Sequence, residues 1–162
     1  MRFSGHTRVR ALPALALLFL VLGWSSLPRT QVQQSGQSAA SKVVSGTING
    51  AAGGVLRNGD WSVKIPAGSF PGVGLVTVTV PDPAVRSCQL SIAPSALNSF
   101  RAPVTLSCRL QSQEEVRTFV MQSWDPGTRS WKASDSKTDS RALSCSASLP
   151  HFSTYRCGKA GT

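Results

Sequence analysis

The stretch Leu75-Val-Thr-Val-Thr-Val80 alternates between two sets of side chains and gives the clearest structural signal in the sequence. The three valines occupy one phase of the alternation, and Leu75 and the two threonines occupy the other. Successive residues of a β-strand point to opposite faces of a sheet, and β-branched side chains suit that geometry. The pattern predicts a strand whose valines face a core. Pro81-Asp-Pro83 ends it, because proline cannot donate to a strand ladder.

Similar alternation recurs on both sides of this strand, over residues 61–65, 88–92, 104–110 and 143–149. Segments rich in Gly, Pro, Asn and Asp separate these stretches, with turn signals every 8–12 residues or so, as is typical of roughly 100-residue β-domains. The sequence therefore predicts an all-β fold, a single antiparallel β-sandwich of eight to ten short strands. A partly open barrel is the alternative arrangement of the same strands.

Helical periodicity is weak throughout the domain. No stretch after residue 30 sustains a 3.6-residue repeat of good helix formers over ten residues, and residues 111–119 come nearest before they return to strand-like alternation. We therefore expect a charged turn over residues 111–115, a strand over residues 116–124 and a polar loop over residues 135–139.

The first 26 residues differ in composition from the rest of the chain. Three arginines precede an apolar run at residues 11–23, and Trp24-Ser-Ser26 follows it. This order is typical of a secretory signal peptide, and the run is shorter than the ~20 residues of a membrane-spanning helix. An uncleaved anchor is the alternative. We expect a signal peptide at 1–26, a disordered spacer at 27–42, a β-sandwich domain at 43–158 and a frayed tail at 159–162, in a protein that is secreted, periplasmic or at the cell surface.

The chain is strongly basic, with a formal net charge of +10 that falls to +7 when the arginines of the signal are removed. The basic residues are spread singly along the sequence, whereas a nucleic-acid footprint is a patch or stripe with aromatic residues beside it. We therefore expect no nucleic-acid partner. A cationic surface of this kind favours association with an acidic cell envelope.

Four cysteines remain after the signal, and export makes disulfides their expected state. Cys88 and Cys108 each lie ten residues from Asn98, and Cys145 and Cys157 each lie six residues from His151. Residues equidistant from the turn of an antiparallel hairpin face each other. This symmetry predicts the bridges Cys88–Cys108 and Cys145–Cys157. No Cys-x-x-Cys pair or Cys/His cluster is present, so we expect neither a metal nor a cofactor.

The closing stretch Leu143-Ser-Cys-Ser-Ala-Ser-Leu-Pro-His-Phe-Ser-Thr-Tyr-Arg-Cys157 has two interpretations. As structure, it predicts a final hairpin that turns at Pro150, with Phe152 and Tyr155 as core or rim aromatics. As chemistry, it places His151, Phe152 and Ser153 side by side. These three residues supply a base, a scissile bond and a nucleophile.

Several motifs, in order, resemble those of the ZU-five domain, the β-sandwich of ankyrins, netrin receptors and tight-junction scaffolds, which also occurs in secreted bacterial proteins. The resemblance covers about residues 44–157. It is carried by Gly53-Gly-Val-Leu with Asn58-Gly-Asp-Trp-Ser-Val-Lys-Ile-Pro-Ala-Gly68, by Leu90-Ser-Ile-Ala-Pro94 with Phe100-Arg-Ala-Pro-Val-Thr-Leu106, by Trp124-Asp ahead of Trp131, and by His151-Phe-Ser-Thr-Tyr155. The ending also resembles the proteolysis-site hairpin of adhesion receptors, although most of the cysteines of that hairpin are missing.

The ZU-five resemblance implies a module for protein association, and a minority of that family cleave themselves within His-Phe-Ser. Carried over to this sequence, Ser153 Oγ attacks the carbonyl of Phe152, His151 takes the proton, and the resulting ester hydrolyses. No acidic residue nearby in the sequence is placed to orient His151. The structural alternative is that His151 caps the turn and Ser153 bonds to backbone.

Other enzyme classes find little support in the sequence. A Gly-x-Ser-x-Gly elbow and a phosphate-binding loop are absent, and most of the seven acidic residues lie in turns. Trp61, Trp124 and Trp131 are candidates for a carbohydrate-stacking platform, but the alternating patterns around Trp61 and Trp131 favour core packing. The leading expectation is an exported, disulfide-bonded, non-catalytic interaction or structural module. The alternatives are a self-cleaving module and a carbohydrate- or envelope-binding sandwich.

Overall fold

The strand predicted from the valine alternation runs from Val73 to Val80 in a computed structural model that describes residues 40–160. Val76 and Val78 are fully buried, and the side chains of the other phase face solvent. The same two-residue period of burial recurs in several of the other strands. In chain order the strands are β1 (Lys42–Asn49), β2 (Gly54–Asn58), β3 (Trp61–Ile65), β4 (Val73–Val80), β5 (Ser87–Ala93), β6 (Val104–Arg109), β7 (Phe119–Asp125), β8 (Ser130–Ala133), β9 (Ser136–Asp139), β10 (Ser144–Leu149) and β11 (Thr154–Lys159).

The eleven strands form two antiparallel sheets. Sheet A has six strands in the order β1-β4-β5-β11-β7-β8, and sheet B has five in the order β2-β3-β6-β10-β9. The core between them takes fully buried side chains from both layers, such as Leu106 and Val63 of sheet B and Val78 and Met121 of sheet A. The predicted all-β antiparallel sandwich is confirmed.

One strand lies where the sequence predicted a polar loop. β9 (Ser136–Asp139) pairs with β10 along its whole length, from Ser136 opposite Ala147 to Asp139 opposite Ser144. Its side chains are mostly exposed, because β9 is the edge strand of sheet B. The loop prediction is wrong because β9 becomes an edge strand through backbone hydrogen bonds to β10, although the side chains of β9 show no apolar period.

Two short helical segments interrupt the strands. A 3-10 turn spans Ser95–Leu97, and helix α1 spans Gln113–Thr118. The expected charged turn at 111–115 is therefore wrong, since helix α1 begins at Gln113. The expected strand at 116–124 is confirmed only from Phe119, where β7 begins. The Ser112 hydroxyl accepts a hydrogen bond from Glu115 N–H at 3.2 Å, and the Glu115 carboxylate accepts one from Gln111 N–H at 2.7 Å. These two bonds start the helix, and Ser-x-x-Glu is the spacing of a capping box.

The chain changes sheets at both places where a hairpin was predicted. β5 belongs to sheet A and β6 to sheet B, and β10 belongs to sheet B whereas β11 belongs to sheet A. The expected closing hairpin and the hairpin argument for Cys88 opposite Cys108 are both wrong. The strands before and after each of these turns belong to different sheets, so their side chains face each other across the core or do not meet. Equal spacing from a turn therefore does not make two strands neighbours.

The ends of the described region differ slightly from the predicted boundaries. β1 already begins at Lys42, and β11 ends at Lys159. The N–H of the next residue, Ala160, donates to Thr118 O at 3.1 Å. The predicted signal peptide, most of the spacer and residues 161–162 lie outside the described residues. Neither helical segment within residues 40–160 has the length and apolar character needed to cross a membrane.

A leucine substitution in the core should cost far more stability than the same substitution on the outer face. Leu106→Ala empties a site that is 0% exposed, and we expect its free energy of unfolding to fall by about 2–5 kcal/mol. Leu75→Ala, at 47% exposure, serves as the control and should change it by less than about 0.5 kcal/mol. Urea denaturation measures both, and equal losses would contradict the assigned faces of β4 and β6.

Candidate functional site

The His151-Phe152-Ser153 motif lies in the corner where the chain passes from sheet B to sheet A. We call residues 150–153, between the end of β10 at Leu149 and the start of β11 at Thr154, the crossing corner. Phe152 is buried at 4% exposure and packs edge-on against Phe100 with ring centroids 4.7 Å apart. The apolar residue of the motif thus anchors the corner in the core, whereas His151 is exposed and Ser153 is half-buried.

Asn98 holds the peptide groups on both sides of Phe152. Its side-chain oxygen accepts a hydrogen bond from Phe152 N–H at 2.6 Å, and its Nδ2 donates to Phe152 O at 3.1 Å. Asn98 ends the 3-10 turn in the connection between β5 and β6, so these two bonds join segments 54 residues apart in the chain. The carbonyl that a self-cleaving mechanism attacks therefore already receives a side-chain donor.

The other carbonyl groups of the crossing corner are also engaged. Each accepts a hydrogen bond from a residue outside the corner, so the corner is fixed to β5, to β11 and to the connection before β6. The bonds run from Phe100 N to Pro150 O (2.9 Å), from Tyr155 Oη to His151 O (2.8 Å) and from Leu90 N to Ser153 O (2.9 Å). Burial raises the pKa of Tyr155 to about 12, which keeps its hydroxyl protonated as the donor.

A small cavity of 170 Å³ lies beside the motif. Its lining includes His151, Ser153, Trp124 and Tyr155. Within residues 40–160, the His151 imidazole and the Ser153 hydroxyl do not form a hydrogen bond with each other. The structure thus brings the predicted base and nucleophile to one cavity without joining them. Asn98 and Tyr155 supply side-chain hydrogen bonds to this corner instead.

Sequence reasoning did not identify Asn98 as part of this site. In the sequence it was only the centre of symmetry between two cysteines, and its role depends on a contact over 54 residues. One local signal was available: asparagine is favoured at the ends of helical turns, where its side chain is free to bond to backbone. That signal indicates a capping residue but does not identify the segment of the chain that its side chain contacts.

Three of the four cysteines form a cluster that connects the two sheets. Cys108 and Cys145 lie directly opposite each other on β6 and β10 of sheet B. Cys157 projects from β11 of sheet A, and its thiol is in hydrogen-bonding contact with both of them. Cys88 pairs in register with Tyr155 instead. All four cysteines are buried and free in the structure, so neither predicted bridge is formed in it.

The environment of these thiols makes them poor nucleophiles. Burial raises the pKa of Cys88, and the hydrogen bond with Cys157 together with burial raises that of Cys145. The hydrogen bond with Cys108 raises the pKa of Cys157 to about 12. Since the thiolate is the reactive form, the cluster has the character of a structural contact rather than of a catalytic cysteine site.

Cys157 also lines a cavity of 490 Å³ together with Arg86, Glu115 and Phe119. Arg86 forms an ion pair with Glu115 at 2.7 Å, and its guanidinium lies 5.4 Å from the centroid of the Phe119 ring. The hydrogen bond from Arg86 holds the pKa of Glu115 below its usual range. These contacts fix helix α1 against sheet A beside Cys157.

The three tryptophans that were candidates for a sugar-binding platform occupy two different environments. Trp61 is buried in the core at 3% exposure. Trp124 and Trp131 are directly opposite each other on β7 and β8, half-buried, with ring centroids 5.3 Å apart. Met121 of β7 faces the core, so Trp124, three residues on, faces outward.

The expected core position of Trp131 is therefore wrong. The residues around Trp131 do alternate, but Trp131 lies directly opposite Trp124 and so points to the same side of sheet A, away from the core. Arg156 from β11 lies over the Trp131 ring, 4.7 Å from its centroid, and also donates to Gln122 Oε1. The pair of tryptophans with Arg156 thus forms an aromatic and cationic patch on the outer face of sheet A.

The hairpin that presents this patch is held by one carboxylate. Asp125 forms an ion pair with Lys132 and accepts hydrogen bonds from Gly127 N–H at 2.8 Å and Thr128 N–H at 3.4 Å. The hydrogen bond with Lys132, followed by the one from Gly127, holds the pKa of Asp125 well below its usual range. The carboxylate therefore stays ionised and keeps the turn between β7 and β8 closed.

Comparison of the chain with known family models and with curated protein sequences gave no match.

Removing the Asn98 side chain should loosen the crossing corner. In Asn98→Ala, Phe152 loses the acceptor for its N–H and the donor to its carbonyl, and we expect the free energy of unfolding to fall by about 1–3 kcal/mol. The exposed neighbour Ser99 provides the control, since Ser99→Ala should change it by less than about 0.5 kcal/mol. Urea denaturation compares the two variants, and equal midpoints would show that the hydrogen bonds between Asn98 and Phe152 add no stability.

Proposed function

We propose that this chain is an exported, non-catalytic β-sandwich module for association with a protein or an envelope component. The observation that carries the proposal is the use of the His151-Phe152-Ser153 motif as a joint between the sheets. All four carbonyl groups of the crossing corner accept structural hydrogen bonds, and Phe152 is packed in the core. Residues in this arrangement stabilise the fold and leave the two broad outer faces for binding.

The ordered motifs that resemble a ZU-five domain agree with this role, because that resemblance implies protein association. Export is proposed from the basic, apolar and small-residue order of the first 26 residues. In an oxidising compartment the proposal includes one bridge, between Cys145 and Cys157. These two residues lie on facing sheets with their thiols in contact. Such a bridge would tie sheet A to sheet B at the last strand.

A second candidate function, self-cleavage, is favoured by one specific contact. Asn98 Nδ2 donates to Phe152 O, the oxygen that takes up negative charge when a nucleophile attacks that carbonyl. In this reaction Ser153 Oγ bonds to the Phe152 carbonyl carbon, the Phe152–Ser153 C–N bond breaks, and the proton of the hydroxyl passes by way of His151 to the released amine. One water molecule then hydrolyses the ester to give a new carboxylate and a free Ser153.

Mass analysis of the purified protein distinguishes the two candidates. The non-catalytic module predicts an intact chain under denaturing and reducing conditions, in wild type and in Ser153→Ala alike. Self-cleavage predicts release of the ten residues from Ser153 onward, and loss of this fragment in Ser153→Ala. The reductant is essential because a Cys145–Cys157 bridge would otherwise retain the fragment. A fragment that starts at Ser153 would overturn the leading proposal.

The number of reactive thiols tests the proposed bridge. Alkylation of the denatured, unreduced protein should label two of the four cysteines, Cys88 and Cys108, and prior reduction should raise the number to four. Cys145→Ser removes one partner and should give three labelled thiols without reduction. Four labelled thiols in the unreduced wild type would refute the bridge, and none would indicate a second bridge between Cys88 and Cys108.

A further inference from the structure

The outer face of sheet B gathers basic residues that are far apart in the sequence. Strand pairing aligns the outward residues of five strands into one row, and a second row runs parallel to it across four strands. The first row is Arg57, Ser62, Ser107, Ser146 and Lys137. The second row is Val55, Lys64, Thr105 and Ser148. Arg109 lies opposite Ser144 at the next outward position.

The four cations of this face have no acidic partner within residues 40–160. Arg57, Lys64, Arg109 and Lys137 are all exposed, and the two ion pairs formed in that region involve Arg86 and Lys132 instead. A basic sequence without clusters has therefore folded into a surface with one cationic face. Unpaired cations on a shared face add their fields and attract a polyanion.

Three acidic residues lie on or beside this face. Asp139 pairs in register with Ser144, but its Oδ1 already accepts hydrogen bonds from Arg141 N–H at 2.8 Å and Ala142 N–H at 3.0 Å. Asp135 contributes to the lining of a cleft of 250 Å³ at the edge of the face, and Asp60 lines a second cleft together with Arg109. The face thus has four cations against three carboxylates, which lie in the turn between β2 and β3 and at the edge strand β9.

Short hydroxyl side chains cover the middle of the face, between the cations. Six serine and threonine residues of β3, β6 and β10 point outward here: Ser62, Thr105, Ser107, Ser144, Ser146 and Ser148. Within the described chain only Ser146 uses its hydroxyl, as a donor to Lys137 O at 3.3 Å. The remaining hydroxyl groups are free to exchange hydrogen bonds with a ligand. The cleft that includes Thr105, Ser146 and Ser148 shows where such a ligand has room to enter.

The outer face of sheet A provides an internal comparison. Its outward residues on β4 and β5 are Val73, Leu75, Thr77, Thr79, Gln89 and Ser91, none of which is charged. The basic residue of β11 on that face, Arg156, is committed to Trp131 and Gln122. Cationic character is therefore a property of the outer face of sheet B rather than of the whole described surface.

We propose that the outer face of sheet B binds an acidic polysaccharide. The cations match carboxylate or sulfate groups, and the serine and threonine hydroxyls match the hydroxyl groups of sugar rings. The first row extends over five strands, which at strand spacing is roughly 19 Å, enough for an extended polymer chain. This inference rests on the proposed function as an association module and names the partner class.

Other classes of partner fit this face less well. Its outward strand residues include no aromatic side chain, so it offers no platform on which nucleic-acid bases would stack. Val55 is its one large apolar residue, so it lacks both the apolar surface for insertion into lipid and the aromatic anchors of a protein interface. Charge and hydroxyl groups together favour a charged sugar polymer.

Binding to dextran sulfate and to polygalacturonate, with uncharged dextran as the matched neutral polymer, tests the proposal. We expect the wild-type protein to bind both acidic polymers and to leave dextran unbound. Arg57→Gln with Lys64→Gln should weaken binding about tenfold. Arg101→Gln with Arg117→Gln removes the same charge at exposed positions outside the face and should weaken it less than about twofold. Denaturation midpoints verify that all variants are folded.

A second pair of variants separates a polysaccharide site from a general polyanion surface. Ser107→Ala with Ser146→Ala keeps every charge and should weaken binding to polygalacturonate without changing binding to double-stranded DNA. The proposal is overturned if neither acidic polymer binds, or if the Arg57/Lys64 and Arg101/Arg117 double variants weaken binding equally. It is also overturned if DNA binds as tightly as the acidic polymers and its binding is weakened by the same variants. Such a result would leave the non-catalytic, bridged module standing, since the mass and thiol experiments test those two properties separately.

Discussion

A strand that buries every second side chain must present the others to water, and this constraint determines both outer surfaces of the protein. β3, β6 and β10 turn their apolar residues inward, so their serines, threonines and basic residues share one solvent face. β4 and β5 do the same in sheet A and leave an uncharged face of small and β-branched residues. The two faces differ in charge although one chain of nearly uniform composition supplies them. Burial sets the pattern, and the surface chemistry follows from it.

The crossing corner adds the second constraint, because it decides how the two sheets are joined. Asn98 and Phe100 come from one crossing between the sheets, and Phe152 comes from the other. The two crossings therefore lie against each other and are fixed by the same hydrogen bonds and ring contact. The His151-Phe152-Ser153 motif, which has the residues of a reactive site, thus serves to join the two sheets. Its donor to the Phe152 carbonyl suits both purposes, since the same bond that holds a peptide also polarises it.

The sequence was informative where one residue type repeats with a fixed period. The alternation of β3, β4 and β5, the buried phase of the valines and the all-β class followed from it. Partner choice did not, because a period of two specifies which face is buried but not which strand is adjacent. For that reason the symmetric spacing of Cys145 and Cys157 predicted a hairpin, whereas the structure places them on facing sheets. For the same reason the sequence did not predict that one face holds Arg57, Lys64, Arg109 and Lys137, because their shared position depends on strand order alone.

Position in the sheet gives β11 a role in holding sheet A together. β11 lies between β5 and β7 in sheet A, yet it follows both in the chain. Until it is in place, β1-β4-β5 and β7-β8 are two separate ribbons with no hydrogen bonds between them. The complete sheet A therefore requires β11. Displacement of β11 would therefore divide sheet A into these two ribbons, whereas sheet B would keep all of its strand pairs.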